Sequence, residues 1–364
     1  MEPTRLSSLA RLFLKVGLIG VGGPAAHVAL MHEEVVRKRK WSTEEEFALM
    51  VGATALVPGP NSTELAMLIG SRRTGWRGLI VAGLSFIVPA FLIVSLIAAN
   101  YGRIEGTDVL DRLRYGIYPV VVAIIAVALV RLRKSTLGTP LHVVIGAGCI
   151  ALSVVGVPDL LVLVVGGAVA VTLASVRHRL HAMGALIVAA VVPELWRIFL
   201  RFAEIGSVIF GSGYVLFAFL DSMLVIRDGW ISESVLLDAI AVGQVTPGPV
   251  FTSATFIGWE LQGLSGAMVA TAGIFLPSFV FAAGCNWFVG VVTRTPWLRT
   301  VLGGVTAASI GLMALLVVRL ADTSLTDVGT LTLAVVAAGV LLVTRISSVW
   351  IIGLGVLAGL VFGG

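Results

Sequence analysis

Residues 56–66 read LVPGPNSTELA and interrupt one of the most apolar stretches of an already apolar chain. Proline lacks the N–H that a helix interior needs, and two of them around a glycine break a helix. Inside a bilayer such a break is tolerated only where protein or a water-filled cavity surrounds the freed backbone. The stretch decides between helices that merely pack and helices that open around a ligand.

The setting is a membrane. The chain has 364 residues, of which 58% are hydrophobic and only 12% charged, and its mean hydropathy is +1.04. So few charges cannot cover a soluble protein of this length. Several segments exceed the roughly 18 apolar residues of a spanning helix. The fold class is therefore an all-α, multi-pass membrane protein. A net charge of +5 does not argue for nucleic acid here, because basic residues of membrane proteins mark cytoplasmic loops.

Other chemistries leave no trace. Cys149 and Cys285 lie far apart in apolar segments and read as small core residues. The N-terminal MEPTRLSSLARLFLKVG lacks a small-residue cleavage site and does not read as a cleaved signal peptide. No HExxH, CxxC or Walker loop occurs, and GVGGP is not spaced like a dinucleotide fingerprint. His32, His142, His178 and His181 show no ligand spacing, so no metal and no cofactor are expected. An ATP-driven pump, a redox enzyme and a hydrolytic membrane enzyme are all disfavoured.

The chain repeats itself. A shift of 189 residues places Trp41 on Trp230, Phe13 on Phe202, Gly17 on Gly206 and Gly22 on Gly211. It also places Pro58-Gly59-Pro60 on Pro247-Gly248-Pro249. With one residue dropped, Gly70 meets Gly258 and Pro89 meets Pro277. The halves are 1–182 and 197–364, joined by a connector at 183–196. Paired broken segments are the signature of a secondary transporter built from internal repeats.

Ordinary spans are expected at 78–99, 115–132, 141–157 and 159–176, then at 265–290, 301–319, 328–343 and 348–362. Residues 44–70 fit either one broken spanning helix or a re-entrant hairpin, since about 27 residues at 1.5 Å each suffice to cross. Charge favours the hairpin. It puts Arg37, Lys38, Arg39 and Lys40 on the same face as Arg72, Arg73 and Arg77. The matching loops of the second half carry Asp221, Arg227, Asp228, Glu233 and Glu260. That imbalance predicts inverted repeats, which require residues 183–196 to cross the membrane.

A half-helix starting after Pro60 has unpaired first N–H groups and the positive end of its dipole, both of which favour an anion. Asn61, Ser62 and Thr63 add side chains at the same place. In the second half Gln244 and Thr246 precede the break, and Thr252, Ser253 and Thr255 follow it. A hydrogen bond to a charged group contributes about 1.5–3 kcal/mol and a helix end about 0.3–2 kcal/mol. Several such elements are needed to offset the dehydration of a dianion, which suits four breaks better than one. The glycines at Gly22, Gly23, Gly211 and Gly213, with Ser212 between the last two, let backbone approach a ligand closely. One Pro-Gly-Pro alone would be read equally well as a packing kink. Two in equivalent positions, each followed by hydroxyl residues, favour binding.

Burying an ionisable group in a membrane costs about 2.5–3.5 kcal/mol or more, so such groups are functional candidates. Glu64, Lys15, His27 and Asp238 lie near the breaks as carriers of a proton or partners of an oxyanion. Glu64 reads equally well as a first-turn carboxylate facing its own helix N-terminus. Glu33, Glu34 and the basic run 37–40 read as a solvated face at the membrane boundary.

The motifs GGPAAHVALMHEEVVRKRKW, LVPGPNSTELAMLIG, FGSGYVLFAFL and AIAVGQVTPGPVFTSATFIG resemble the paired signatures of the chromate ion transporter family, in its long, two-domain form. The resemblance implies export of chromate from the cytoplasm across the inner (plasma) membrane, driven by the proton-motive force. Sulfate is the structural analogue, since both are tetrahedral dianions. Carried over by motif, the site holds Gly22, Gly23, Pro24, Pro58, Gly59, Pro60, Asn61, Ser62, Thr63 and Glu64. From the second half come Gly211, Gly213, Tyr214, Gln244, Pro247, Gly248, Pro249 and Thr252. The expected partners are a small oxyanion, protons and the lipid bilayer, with no nucleic acid and with a homodimer as an open assembly. A sulfate or other oxyanion transporter and an uncoupled anion channel remain the alternatives.

Overall fold

A computed structural model describes residues 5–136, 140–154, 157, 159–174, 194–210, 213–344 and 346–363. Among these, helices joined by short turns account for the regular structure and no strand occurs. The first half comprises α1 (Leu6–Ile19), α2 (Pro24–His32), a π-helical extension of α2 (Glu33–Lys38), α3 (Glu44–Thr54), α4 (Asn61–Tyr101), α5 (Asp108–Thr136), α6 (Pro140–Val154) and α7 (Asp159–Ala174). The second comprises α8 (Leu195–Val208), α9 (Val215–Leu220), its π-helical extension (Asp221–Arg227), α10 (Glu233–Val245), a 3-10 turn (Val250–Thr252), α11 (Ser253–Arg294), α12 (Pro296–Ser324), α13 (Val328–Val343) and α14 (Ser348–Phe362). Gly211 and Ser212 lie outside the described residues, as does the connector up to residue 193.

Local chemistry sets the helix ends. Thr43 and Glu46 form a capping box at the start of α3, each side chain meeting the other's backbone N–H at 3.1 Å. Ser232 caps α10 in the equivalent place by accepting from the Val235 N–H at 3.3 Å. Pro24 opens α2 behind Gly22 (φ 114°) and Gly23 (φ 78°), two conformations that favour glycine.

Both long helices bend at equivalent residues. Thr74 and Gly75 leave helical geometry in α4, as Gln262 and Gly263 do in α11, with nearly the same dihedral angles. The bend folds each helix back on itself. A β-carbon on Gly70 would stand 2.2 Å from the Gly78 carbonyl, and one on Gly258 2.4 Å from that of Gly266. Trp41, just before α3, lies 5.4 Å under the Arg73 guanidinium. Residues 41–73 therefore form a hairpin that returns to the end where it began.

Among the described residues, four stretches are long and apolar enough to cross a bilayer: Asn61–Tyr101, Asp108–Arg133, Val250–Cys285 and Thr300–Ser324. Their exposed residues, such as Leu84, Leu92, Leu96 and Val280, are apolar and suit contact with lipid. Helices α13 and α14 occupy the ranges expected from sequence, 328–343 and 348–362. Association rests on close approach at small residues, as expected where lipid removes the hydrophobic drive. Gly17 backs onto the carbonyl of Phe86, Gly206 repeats this on Ile274, and Gly116 meets the carbonyl of Gly355. Gly83 of α4 lies against Phe279, and Tyr101 at the far end of α4 packs edge-on at 5.1 Å against Phe256. Helices α4 and α11 thus run antiparallel through the middle of the molecule.

One expectation needs correction. Glu34 is not on a solvated face but is buried, 6% exposed. It pairs with Lys15 at 2.7 Å, Lys38 at 3.2 Å and Arg39 at 3.6 Å. Three cations offset the desolvation of one carboxylate, which a sequence pattern of alternating charge does not reveal.

Candidate functional site

The four breaks meet, and each half completes the other. The Gly59 N–H donates to the Ile209 carbonyl at 2.8 Å, and the Gly248 N–H donates to the Gly20 carbonyl at 2.9 Å. These two bonds are equivalent under the internal repeat. Gly59 (φ 128°) and Gly248 (φ 98°) both hold conformations suited to glycine between their flanking prolines. The first breaks face each other as well. The Tyr214 hydroxyl lies 3.6 Å from the β-position of Gly23, and Pro24 lies 3.7 Å from that of Gly213.

The first-half turn Pro58-Gly59-Pro60 carries the unpaired polar groups. The Pro60 carbonyl accepts from the N–H groups of Thr63 and Glu64 at 2.7 and 3.1 Å. The helix offers no carbonyl to those of Asn61 and Ser62. Asn61 Oδ1, Thr63 Oγ1 and both Glu64 carboxyl oxygens are buried without a hydrogen-bond partner among the described residues. Glu64 is 1% exposed and Thr63 is fully buried. The side chain missing from Gly59 makes room for them. Glu64 Oε1 and Ser278 Oγ stand 2.4 and 2.7 Å from where its β-carbon would be.

His27 ties two breaks together. Its Nε2 lies 2.9 Å from the Gly20 carbonyl and its Nδ1 lies 3.3 Å from Ser62 Oγ. A carbonyl can only accept, so Nε2 carries the hydrogen and Nδ1 of the neutral ring accepts from Ser62. The repeat places Leu216 opposite His27, so this link exists in one half only.

The second-half turn Pro247-Gly248-Pro249 is furnished differently. Thr252 Oγ1 donates to the Pro249 carbonyl at 2.8 Å, Ser253 Oγ to that of Val250 at 3.0 Å, and Thr246 Oγ1 to that of Val242 at 2.8 Å. Their hydrogens are committed to backbone, although each oxygen can still accept. The buried amide of Gln244 neighbours the Tyr214 hydroxyl without meeting strict hydrogen-bond geometry. Among the described residues the unpartnered hydroxyl and carboxyl groups cluster at the first-half turn, joined by Ser278 and the Gln244 amide from the second half, so the two-fold symmetry of the backbone is not matched by the side chains.

Two sequence candidates stand apart from the breaks. Lys15 is occupied by Glu34. Asp238 accepts from Tyr101 Oη at 2.6 Å and Arg114 Nη2 at 2.8 Å. Ser278 was not anticipated, although its signal was available as the residue after Pro277, the repeat equivalent of Pro89. No group of three His, Cys, Asp or Glu side chains gathers as metal ligands among the described residues.

A family profile described as "Chromate transporter" matches residues 7–172 and again 196–360, one match in each half. The chain belongs to the chromate transporter family. It is 30% identical to the "Chromate transport protein" of Cupriavidus metallidurans, over 98% of this chain and 93% of that one. It is 31% identical to the "Probable chromate transport protein" of Synechococcus elongatus, over 91% and 88% of the two chains. A "Chromate transport protein" of Pseudomonas aeruginosa is 30% identical over 93% and 86%. No solved structure matches the chain significantly. As a member of the chromate transporter family with several long apolar helices, the chain is a multi-pass membrane protein.

Proposed function

We propose that the chain exports chromate from the cytoplasm across the inner membrane by alternating access coupled to the proton-motive force. The observation that carries this reading is the reciprocal bonding of Gly59 to Ile209 and Gly248 to Gly20. Those bonds bring four irregular backbone segments to one place, where side chains without partners can serve a ligand that comes and goes. The names of the relatives supply chromate. A tetrahedral dianion takes hydrogen bonds from the hydroxyls of Thr63 and Ser278, the Gln244 amide N–H and the backbone N–H groups of Asn61 and Ser62, to which the helix offers no carbonyl. Glu64 stands beside them as the proton site, since a carboxyl group without a cationic partner is far cheaper to bury neutral than charged.

Exclusion follows from charge. An ionised Glu64 repels the dianion and a protonated one does not, so proton and substrate occupancy of the site are linked. The antiparallel course of α4 and α11 supports the inverted-repeat arrangement. In that arrangement, rocking of one half against the other exposes the site first to one face and then to the other. The hairpin 41–73, with Arg72 and Arg73 returning to the face of the basic run 37–40, supports placing that face in the cytoplasm.

Purified protein in liposomes tests the reading. Chromate flux is expected to saturate and to follow an imposed pH gradient, and Glu64→Gln is expected to abolish the pH response while retaining chromate exchange. Flux indifferent to the gradient in the unaltered protein removes proton coupling. Flux that never saturates favours a channel, and preference for sulfate over chromate favours the general oxyanion reading.

A further inference from the structure

A cavity of about 710 Å³ lies beside the breaks, between α2, the C-terminal part of α5 and the turn joining α13 to α14. Its lining includes Gly22 and Tyr214, residues of the two first breaks, together with Arg131 and Ser347. Arg131 is the one charged side chain among the described residues that line it.

Helix length accounts for the cavity. At 1.5 Å per residue, α13 and α14 reach only about 24 and 22 Å, short of the roughly 30 Å of a hydrocarbon core. Gly116 meets Gly355, and the Gly359 β-position meets the Arg112 carbonyl, so the far end of α14 is anchored near the start of α5. The α13–α14 turn consequently stops beside Arg131, which donates to the Leu341 carbonyl. Helix α5 continues past it to Thr136. The turn thus stays sunken, and α14 presents its N-terminus to the cavity.

That N-terminus is uncapped. Ser347 is its N-cap residue, yet its hydroxyl makes no capping bond, is buried and has no partner among the described residues. The same Oγ stands 2.7 Å from the β-position of Gly22, which places it at the first break itself. A guanidinium, a helix N-terminus and a free hydroxyl converge with no carboxylate among the described lining residues, which is the donor set an oxyanion requires.

We propose that this cavity is an anion antechamber. Arg131, Ser347 and the first N–H groups of α14 hold a tetrahedral dianion there before it passes between Gly22 and Tyr214 to the Pro-Gly-Pro turns. The inference rests on the transport reading above and adds a second, outer site to it. Arg131 also caps α13 through Leu341, but that bond uses one of its five N–H groups. A guanidinium engaged in this way can still offer its other N–H groups to an anion.

Two measurements separate the antechamber from a purely structural role of Arg131. In liposomes, Arg131→Gln is expected to raise the KM for chromate about tenfold or more with little change in maximal rate, while Arg131→Lys recovers most of the difference. Equal loss of maximal rate in both variants with KM unchanged would overturn the proposal in favour of helix capping. The second measurement does not depend on transport. In a chain with Cys149 and Cys285 replaced, Ser347→Cys is labelled with anionic and cationic methanethiosulfonates. Molybdate is the probe ligand, a tetrahedral dianion that does not oxidise thiols. The ratio of anionic to cationic labelling is expected to fall about tenfold on adding Arg131→Gln, and molybdate is expected to protect the thiol only when Arg131 is present. An unchanged ratio or absent protection overturns the antechamber, and Ala25→Cys on the same cavity replaces Ser347→Cys if that variant does not insert. If labelling behaves as expected but liposomes carry no chromate, the transport reading fails and the anion site stands.

Discussion

The Gly59 N–H donates to the Ile209 carbonyl at 2.8 Å, so a proline-flanked turn in one half is closed by backbone from the other. The carboxyl of Glu64 and the hydroxyl of Ser278 crowd the space where a side chain on Gly59 would be.

Gly59→Ala should therefore be among the most damaging small substitutions. Its positive φ costs an alanine about 1–2 kcal/mol, and the added methyl displaces Glu64 and Ser278. The variant is expected to insert, to unfold at lower temperature in detergent, and to lose at least about tenfold in chromate flux. Gly52→Ala is the control. Nothing lies within 4 Å of its β-position, and alanine favours the helix by up to about 1 kcal/mol. Its flux is expected to match that of the unaltered chain.

The two break threonines should separate. Thr63 Oγ1 has no partner among the described residues, whereas the Thr252 hydrogen is held by the Pro249 carbonyl. Thr63→Val is expected to weaken apparent chromate affinity about tenfold or more, the worth of one hydrogen bond to a charged ligand. Thr252→Val is expected to weaken transport less. Flux against chromate concentration for both variants reads the difference directly.

Asp238 is predicted to matter for stability. It is buried and accepts from Tyr101 and Arg114, joining α10 to α4 and α5. Asp238→Asn leaves the partly buried Arg114 charge with only the more distant and exposed Asp111 carboxylate at 3.8 Å, so the cost is expected to fall at or below the about 3–5 kcal/mol of a fully broken buried pair. Adding Arg114→Gln is expected to recover part of that loss. Thermal unfolding of the single and double variants in detergent measures it.

Much of this organisation was legible in the sequence. The breaks announced themselves as Pro-Gly-Pro and Gly-Gly-Pro, and α13 and α14 fall where the apolar runs 328–343 and 348–362 predict them. What stayed hidden depended on backbone or on single atoms. The carbonyls of Ile209 and Gly20 carry no side-chain signature. Ser278 is one hydroxyl in an apolar helix. Arg131 lies near the end of a long apolar helix with no local pattern to single it out, and only the shortness of α13 and α14 turns it toward a cavity. Lys15 and Glu34 are 19 residues apart, so their pairing appears in no local pattern.

That pair predicts a pH effect outside the spans. The Lys15 ammonium, helped by Lys38, holds the Glu34 carboxyl below its ordinary value of 4.5. A carboxylate with a lowered folded-state value contributes stability in full above its unfolded value and loses it as pH falls through the folded one. Acidification below about pH 4.5 should therefore progressively destabilise the N-terminal helices. Lys15→Ala should flatten that dependence in a thermal-unfolding series run from pH 6 down to about pH 3.

The exchange of backbone bonds between breaks has a consequence for ancestry. A half standing alone would leave the Gly59 N–H and the Gly20 carbonyl without the bonds that the other half supplies. A single half of this kind would therefore need a second copy of itself to close these turns. Once duplication joined two such copies, each was released from being identical to the other. The lone imidazole at His27, facing only a leucine equivalent at Leu216, records that release.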